Sequence, residues 1–144
     1  MICASFEYRI WQMIKGSCLC TQVQYEYHGE ITELAVCHCH QCKRAQGTAF
    51  VTNAPIESSK LKWISGETLL KSYYSSENKR RVFCQNCASP LFSQRTDMPE
   101  TVRLRVGTVT HGHIPQPDYQ IYCESSSSWF SLDENKPRYQ QNIK

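Results

Sequence analysis

Nine cysteines in 144 residues, seven of them in three tight clusters, constrain this chain more than any other feature. The clusters are Cys18-Leu19-Cys20, Cys37-His38-Cys39-His40-Gln41-Cys42 and Cys84-Gln85-Asn86-Cys87, with Cys3 and Cys123 standing apart. An odd total, spacings of one or two residues and no secretion signal argue against a disulfide framework. Glu7 and Arg9 interrupt the stretch where a signal peptide needs its apolar run. Thiolates hold zinc at about 2.3 Å in a tetrahedron, and pairs one to four residues apart can turn the backbone around the ion. Three such knuckles point to zinc. A redox pair of the thioredoxin kind is a poorer fit, because nothing helical is expected after Cys87.

Seven thiolates divide as four plus three. Closing the first knuckle on the second spans 16 intervening residues and closing it on the third spans 63, an entropic difference of roughly 1.2 kcal/mol. Structural zinc contributes on the order of 10 kcal/mol, so loop length does not decide the pairing. Joining the two two-cysteine knuckles makes a complete set of four and leaves the three-cysteine knuckle as its own site. The preferred grouping is therefore Cys18, Cys20, Cys84 and Cys87 against Cys37, Cys39 and Cys42. Four protein ligands make a closed, structural site, whereas three leave a position for water or substrate. Three thiolates weaken the ion as a Lewis acid toward water, but an incoming thiol would still bind deprotonated. Addition of a thiol to an electrophilic carbon suits such a site. The alternative is that His40 or His38 supplies a fourth ligand and closes it.

The rest of the chain reads as one mainly β domain. Val23–Tyr27 and Val102–Val106 alternate apolar and polar residues as half-buried strands do. Further strands are expected at 34–36, 49–52, 61–64, 70–74, 81–83 and 119–123, with Cys123 a buried apolar residue in the last. Without long amphipathic helices between them, these strands predict small, mainly antiparallel sheets. The serines at 125–128 read as a surface loop, and Lys79-Arg80-Arg81 as a solvated strand end. A formal charge of +3 is far below that of a dedicated nucleic-acid binder, so no nucleic-acid partner is expected. No apolar run reaches membrane-spanning length, and a cytoplasmic location is expected.

Gly16-Ser17-Cys18-Leu19-Cys20, the run from Cys37 to Gly47, Phe83-Cys84-Gln85-Asn86-Cys87 and the closing Glu124 to Phe130 resemble the glutathione-dependent formaldehyde-activating, or centromere protein V-like, family. The resemblance runs from about Met13 to Tyr139. It implies an Mss4-like fold with two zinc ions per chain, one structural and one catalytic. Cys18, Cys20, Cys84 and Cys87 match the structural ligands, and Cys37, Cys39 and Cys42 the catalytic ones. The activity implied is that of a carbon-sulfur lyase that joins glutathione thiolate to formaldehyde; in such an enzyme Lys43 or Arg44 is expected to attract a carboxylate. The competing expectation is a binding module with two structural zinc sites and no catalysis. The sequence departs from the family pattern at Thr21 and Ala88, where glycine is usual, at Gln120, where a histidine is expected, and at Ser128 in place of a proline. Residues 1–12 precede the usual family start and are expected to form an accessory segment to a domain over 13–144.

Overall fold

The computed structural model describes residues 13–143, so the segment 1–12 and Cys3 lie outside the described residues. Eleven short strands form two sheets among those residues. The smaller sheet runs in the order β10 (Val109–His111), β1 (Ile14–Ser17), β2 (Gln24–Tyr27), β5 (Leu61–Ser65). The larger has the order β11 (Tyr119–Ile121), β3 (Ala35–Cys37), β4 (Val51–Glu57), β9 (Thr101–Arg105), β8 (Pro90–Arg95), β7 (Lys79–Cys84), β6 (Leu70–Ser76). Every pairing is antiparallel except β11 on β3. The mainly β fold read from the sequence is the one observed. β1, β8 and β10 were not anticipated, because cysteines, prolines and polar residues obscure their alternation.

The two sheets enclose the core. Ile14, Tyr25 and Tyr27 from the small sheet meet Ala54, Ile56, Val82, Phe92, Val102 and Leu104 from the large one, all buried. Gly16 is required here: a Cβ at that position would lie 2.0 Å from the Tyr25 ring, which crosses the strand. Because strand side chains alternate between faces, residues flanking those of the core point to the opposite face of the large sheet. In β4 these are Val51, Asn53 and Pro55; in β9, Arg103 and Arg105; in β7, Lys79 and Arg81. Cys37, in register with Val51, lies on that outer face. It forms a second, small cluster there with Cys42 and Val51, to which Cys39, Ile121 and Tyr122 are packed.

The only α-helix among the described residues, α1 (His40–Gln46), starts inside the second knuckle. Cys39 is its N-cap, its Sγ accepting from Cys42 N–H at 3.3 Å. Gly47, at φ 66°, ends it by donating its N–H to Lys43 O. Cys123 is buried as expected, but it opens a 3-10 turn after β11 ends at Ile121 and is not part of the strand. No helix among the described residues is long and apolar enough to cross a membrane.

Candidate metal centres and the adjoining cavity

The seven clustered sulfurs fall into two groups, Cys18, Cys20, Cys84 and Cys87 in one and Cys37, Cys39 and Cys42 in the other, with ligand atoms in each within 4.8 Å of one another. In the four-cysteine group Sγ of Cys18 and Cys20 are 3.5 Å apart, and Sγ of Cys20 and Cys84 3.9 Å. A zinc tetrahedron with arms of about 2.3 Å has sulfur-sulfur edges of about 3.8 Å, so this group has the dimensions for the ion. The sulfurs are too far apart for disulfides, and all seven cysteines are unpaired.

The first and third knuckles each close on a backbone hydrogen bond to the carbonyl of their first cysteine, from three residues on in the first and four residues on in the third. Thr21 N–H donates to Cys18 O at 3.1 Å, and Ala88 N–H to Cys84 O at 2.8 Å. Both turns close through a residue in the left-handed region, Thr21 at φ 66° and Ala88 at φ 63°. The chain therefore accepts at a threonine and an alanine a conformation that glycine would supply at no steric cost. Ser89 links the two turns: its hydroxyl accepts from Leu19 N–H at 2.8 Å and lies 3.3 Å from Cys87 Sγ. Burial pushes the Cys18 thiol up to about 11. At Cys87 burial acts in the same upward sense, yet hydrogen bonding to Ser89 and to the Cys20 backbone brings it down to about 5. A closed group of this kind at the edge of the main core joins β1 to the β7–β8 hairpin.

The three-cysteine group opens on a cavity of about 540 Å³, within the range of about 300–1,000 Å³ common for small-molecule sites. His40, Asn53 and Tyr122 line it, and Lys79, Arg95 and Arg103 give it positive charge. Beneath it, Arg81 Nη1 and Nη2 lie 3.8 and 3.9 Å from Cys42 Sγ. Arg105 donates to Asn53 Oδ1. Hydrogen bonds from Cys37 and Cys39, assisted by the charges of Arg105 and Arg81, hold the Cys42 thiol well below the usual thiol range. Sharing those protons pushes Cys37 far above it. Burial lowers Arg105 to about 10, although the cysteine charges oppose the shift.

Neither histidine of the second knuckle belongs to the group of ligand atoms. His38 is buried, its ring 5.9 Å from that of Phe50, and its Nε2 hydrogen-bonds Gln120 Oε1 at 3.0 Å. Gln120 Nε2 donates to Asp133 O at 2.9 Å, which orients the amide so that His38 is the donor. Gln120 therefore supports the knuckle from behind and does not line the cavity. Lys43 does not line the cavity either: Nζ donates to Ser125 O and, at 3.2 Å, to Ser127 Oγ. The serine run is thus tied back over α1, and Ser125 borders the cavity. The strand end 79–81 also differs from expectation. β7 lies between β6 and β8, so Arg81 is 9 % exposed and touches a cysteine. Arg81, Arg103 and Arg105 were missed because a polar residue alternating in a strand reads as solvent-facing; two such strands of one charge sign were the available clue.

The model of the family described as glutathione-dependent formaldehyde-activating enzyme matches residues 13–125. A Schizosaccharomyces pombe protein named as an uncharacterized lyase is 26% identical over 83 residues, which are 58% of this chain and 58% of that protein. The chain thus spans little more than half the length of that relative. A crystal structure of a Rhodobacter sphaeroides protein superimposes with a TM-score of 0.55 at 20% identity, covering 87% of this chain and 98% of the other, and so shares the fold. With the match extending over all three knuckles, the chain belongs to the glutathione-dependent formaldehyde-activating enzyme family.

Proposed function

We propose that this protein is a zinc-dependent carbon-sulfur lyase that joins glutathione, through its sulfur, to formaldehyde or a related small electrophile. The observation that carries this reading is the three-cysteine group opening on a cavity whose wall bears Lys79, Arg95 and Arg103. Cys37, Cys39 and Cys42 would hold the zinc, which would supply a Lewis-acidic position favouring the thiolate form of an added thiol. The remaining work falls to the chain. Lys79 and Arg103 attract the carboxylates of the peptide and so orient its sulfur toward the cysteines. Arg95 is already engaged by Asp97 at 2.6 Å and contributes at the rim. In the step proposed, the glutathione sulfur forms a bond to the aldehyde carbon, the carbonyl π pair moves to oxygen, and that oxygen takes a proton from solvent. The product is S-hydroxymethylglutathione; the reverse reaction breaks the same bond. The lyase name of the fission-yeast relative agrees with this class of reaction. The four-cysteine group would hold a structural ion.

Calorimetric titration of the zinc-replete protein with glutathione tests the proposal. Binding should release about one proton per peptide near neutral pH, because the free thiol is mostly protonated there. Formaldehyde consumption should exceed the spontaneous rate, and Cys42→Ser should remove the excess. Neither heat nor proton release from a protein carrying two zinc ions would reject the enzyme and leave a zinc-stabilised binding module.

A further inference from the structure

Arg81 and Arg105 lie under the three-cysteine group, 9 % and 4 % exposed, and none of the ion pairs among the described residues includes either. A buried guanidinium without a counter-charge is strongly disfavoured. Arg81 directs Nη1 and Nη2 at Cys42 Sγ, gives Nη2 also to Gln41 Oε1 at 3.3 Å, and gives Nε to Ser75 Oγ at 3.1 Å. Arg105 donates to Asn53 Oδ1 and, at 3.2 Å, to Arg103 O. Apart from the Cys42 sulfur every one of these acceptors is neutral, so the cysteine group must supply the balancing charge.

The charge count then distinguishes between fourth ligands. A zinc ion with three thiolates has net charge −1, and a fourth thiolate makes it −2, which two arginines neutralise. A neutral imidazole in the same place would leave the two buried guanidiniums one negative charge short. We propose that Arg81 is a positioning residue that fixes the Cys42 thiolate and, together with Arg105, sets the centre to prefer an anionic fourth ligand over a neutral one. This rests on the zinc reading above and adds to it what selects the ligand.

The test uses the full chain and two probes that ligate a metal with different charge, 2-mercaptoethanol as its thiolate and imidazole as a neutral ligand. Each is titrated into cobalt-loaded protein and followed by ligand-field absorption, while zinc affinity is measured by chelator competition. Arg81→Gln should weaken the second zinc by about 10- to 100-fold, as loss of a ligand-supporting partner commonly does, and leave the four-cysteine zinc in place. It should also reduce the preference for the thiol over imidazole by about tenfold, since the compensating charge is gone. Arg81→Lys should keep most of that preference but lose zinc affinity, because an ammonium cannot span Cys42 and Gln41 as the fork does. Arg80→Gln, whose side chain stacks over Phe92 on the opposite face, should change neither quantity. Wild-type zinc affinity and ligand preference in Arg81→Gln would overturn the proposal. If that variant loses both zincs, Arg81→Lys decides, and wild-type zinc affinity there overturns it. Wild-type protein that takes up one zinc would instead overturn the zinc reading itself.

Discussion

Single residues carry backbone strain at two of the three cysteine knuckles. Thr21 and Ala88 adopt left-handed backbone at the first and third knuckles, a conformation costing a non-glycine residue about 1–2 kcal/mol. Glycine would remove that strain but bring back conformational entropy of about 0.5–1 kcal/mol to the unfolded chain. Ala88→Gly should therefore stabilise the zinc-bound protein by up to about 1 kcal/mol, read as a higher urea midpoint at unchanged slope. A lower midpoint would show that the turn tolerates the side chain without strain, since only the entropic cost of glycine would then remain. Gln120 is the opposite case, a buried polar residue bonded on both sides. Its amide completes the hydrogen bonding of buried His38 and of Asp133 O, so the neutral side chain belongs there for its two-sided bonding.

At the scale of elements, α1 and the loop after β11 form the rim of the cavity and depend on each other. α1 has one buried residue, Cys42, so little apolar packing holds it. Lys43 links it to the loop through Ser125 and Ser127, and Phe130 closes over Phe50 at a ring separation of 5.3 Å. Lys43→Met should free this loop while leaving the sheets intact. A lost hydrogen bond of about 1 kcal/mol corresponds to roughly fivefold faster opening, so the Phe130 amide, which donates to Ser127 O, should exchange about fivefold faster. Zinc content should not change. Exchange at the wild-type rate would mean that aromatic packing alone holds the rim. The helix start was partly legible in sequence, since the second knuckle was located correctly. That its middle cysteine caps a helix was not, because seven residues carry too little periodicity to distinguish helix from turn.

At the scale of the molecule, the two cysteine groups occupy mechanically different places. The four-cysteine group sits at the edge of the core between the sheets, where Cys84 is fully buried, and it bridges segments 63 residues apart. The three-cysteine group lies on the outer face of the large sheet within one short stretch of chain. Structural zinc contributes on the order of 10 kcal/mol, comparable with the whole stability of a domain of this size. Cys84→Ser should therefore abolish cooperative folding, while Cys39→Ser should retain a cooperative melt and lose one zinc. Graded chelation should show the same order, one ion leaving with the far-ultraviolet circular dichroism unchanged and the other leaving with unfolding. A Cys39→Ser protein less stable than Cys84→Ser would reverse the assignment of the groups.

The sequence alone determined which residues can bind metal and the class of fold, because ligand type, ligand spacing and strand alternation are local properties carried by a few neighbouring residues. Seven cysteines in three knuckles admitted few arrangements, and short alternating runs without helices admitted few architectures. What stands around the three-cysteine group was decided by the tertiary structure. Arg81, Arg103 and Arg105 come from strands that pair only after distant segments meet, and their register places them on the face that carries Cys37. Alternation says that a side chain lies on the other face of a sheet; only the packed fold says whether that face meets water or a buried anion.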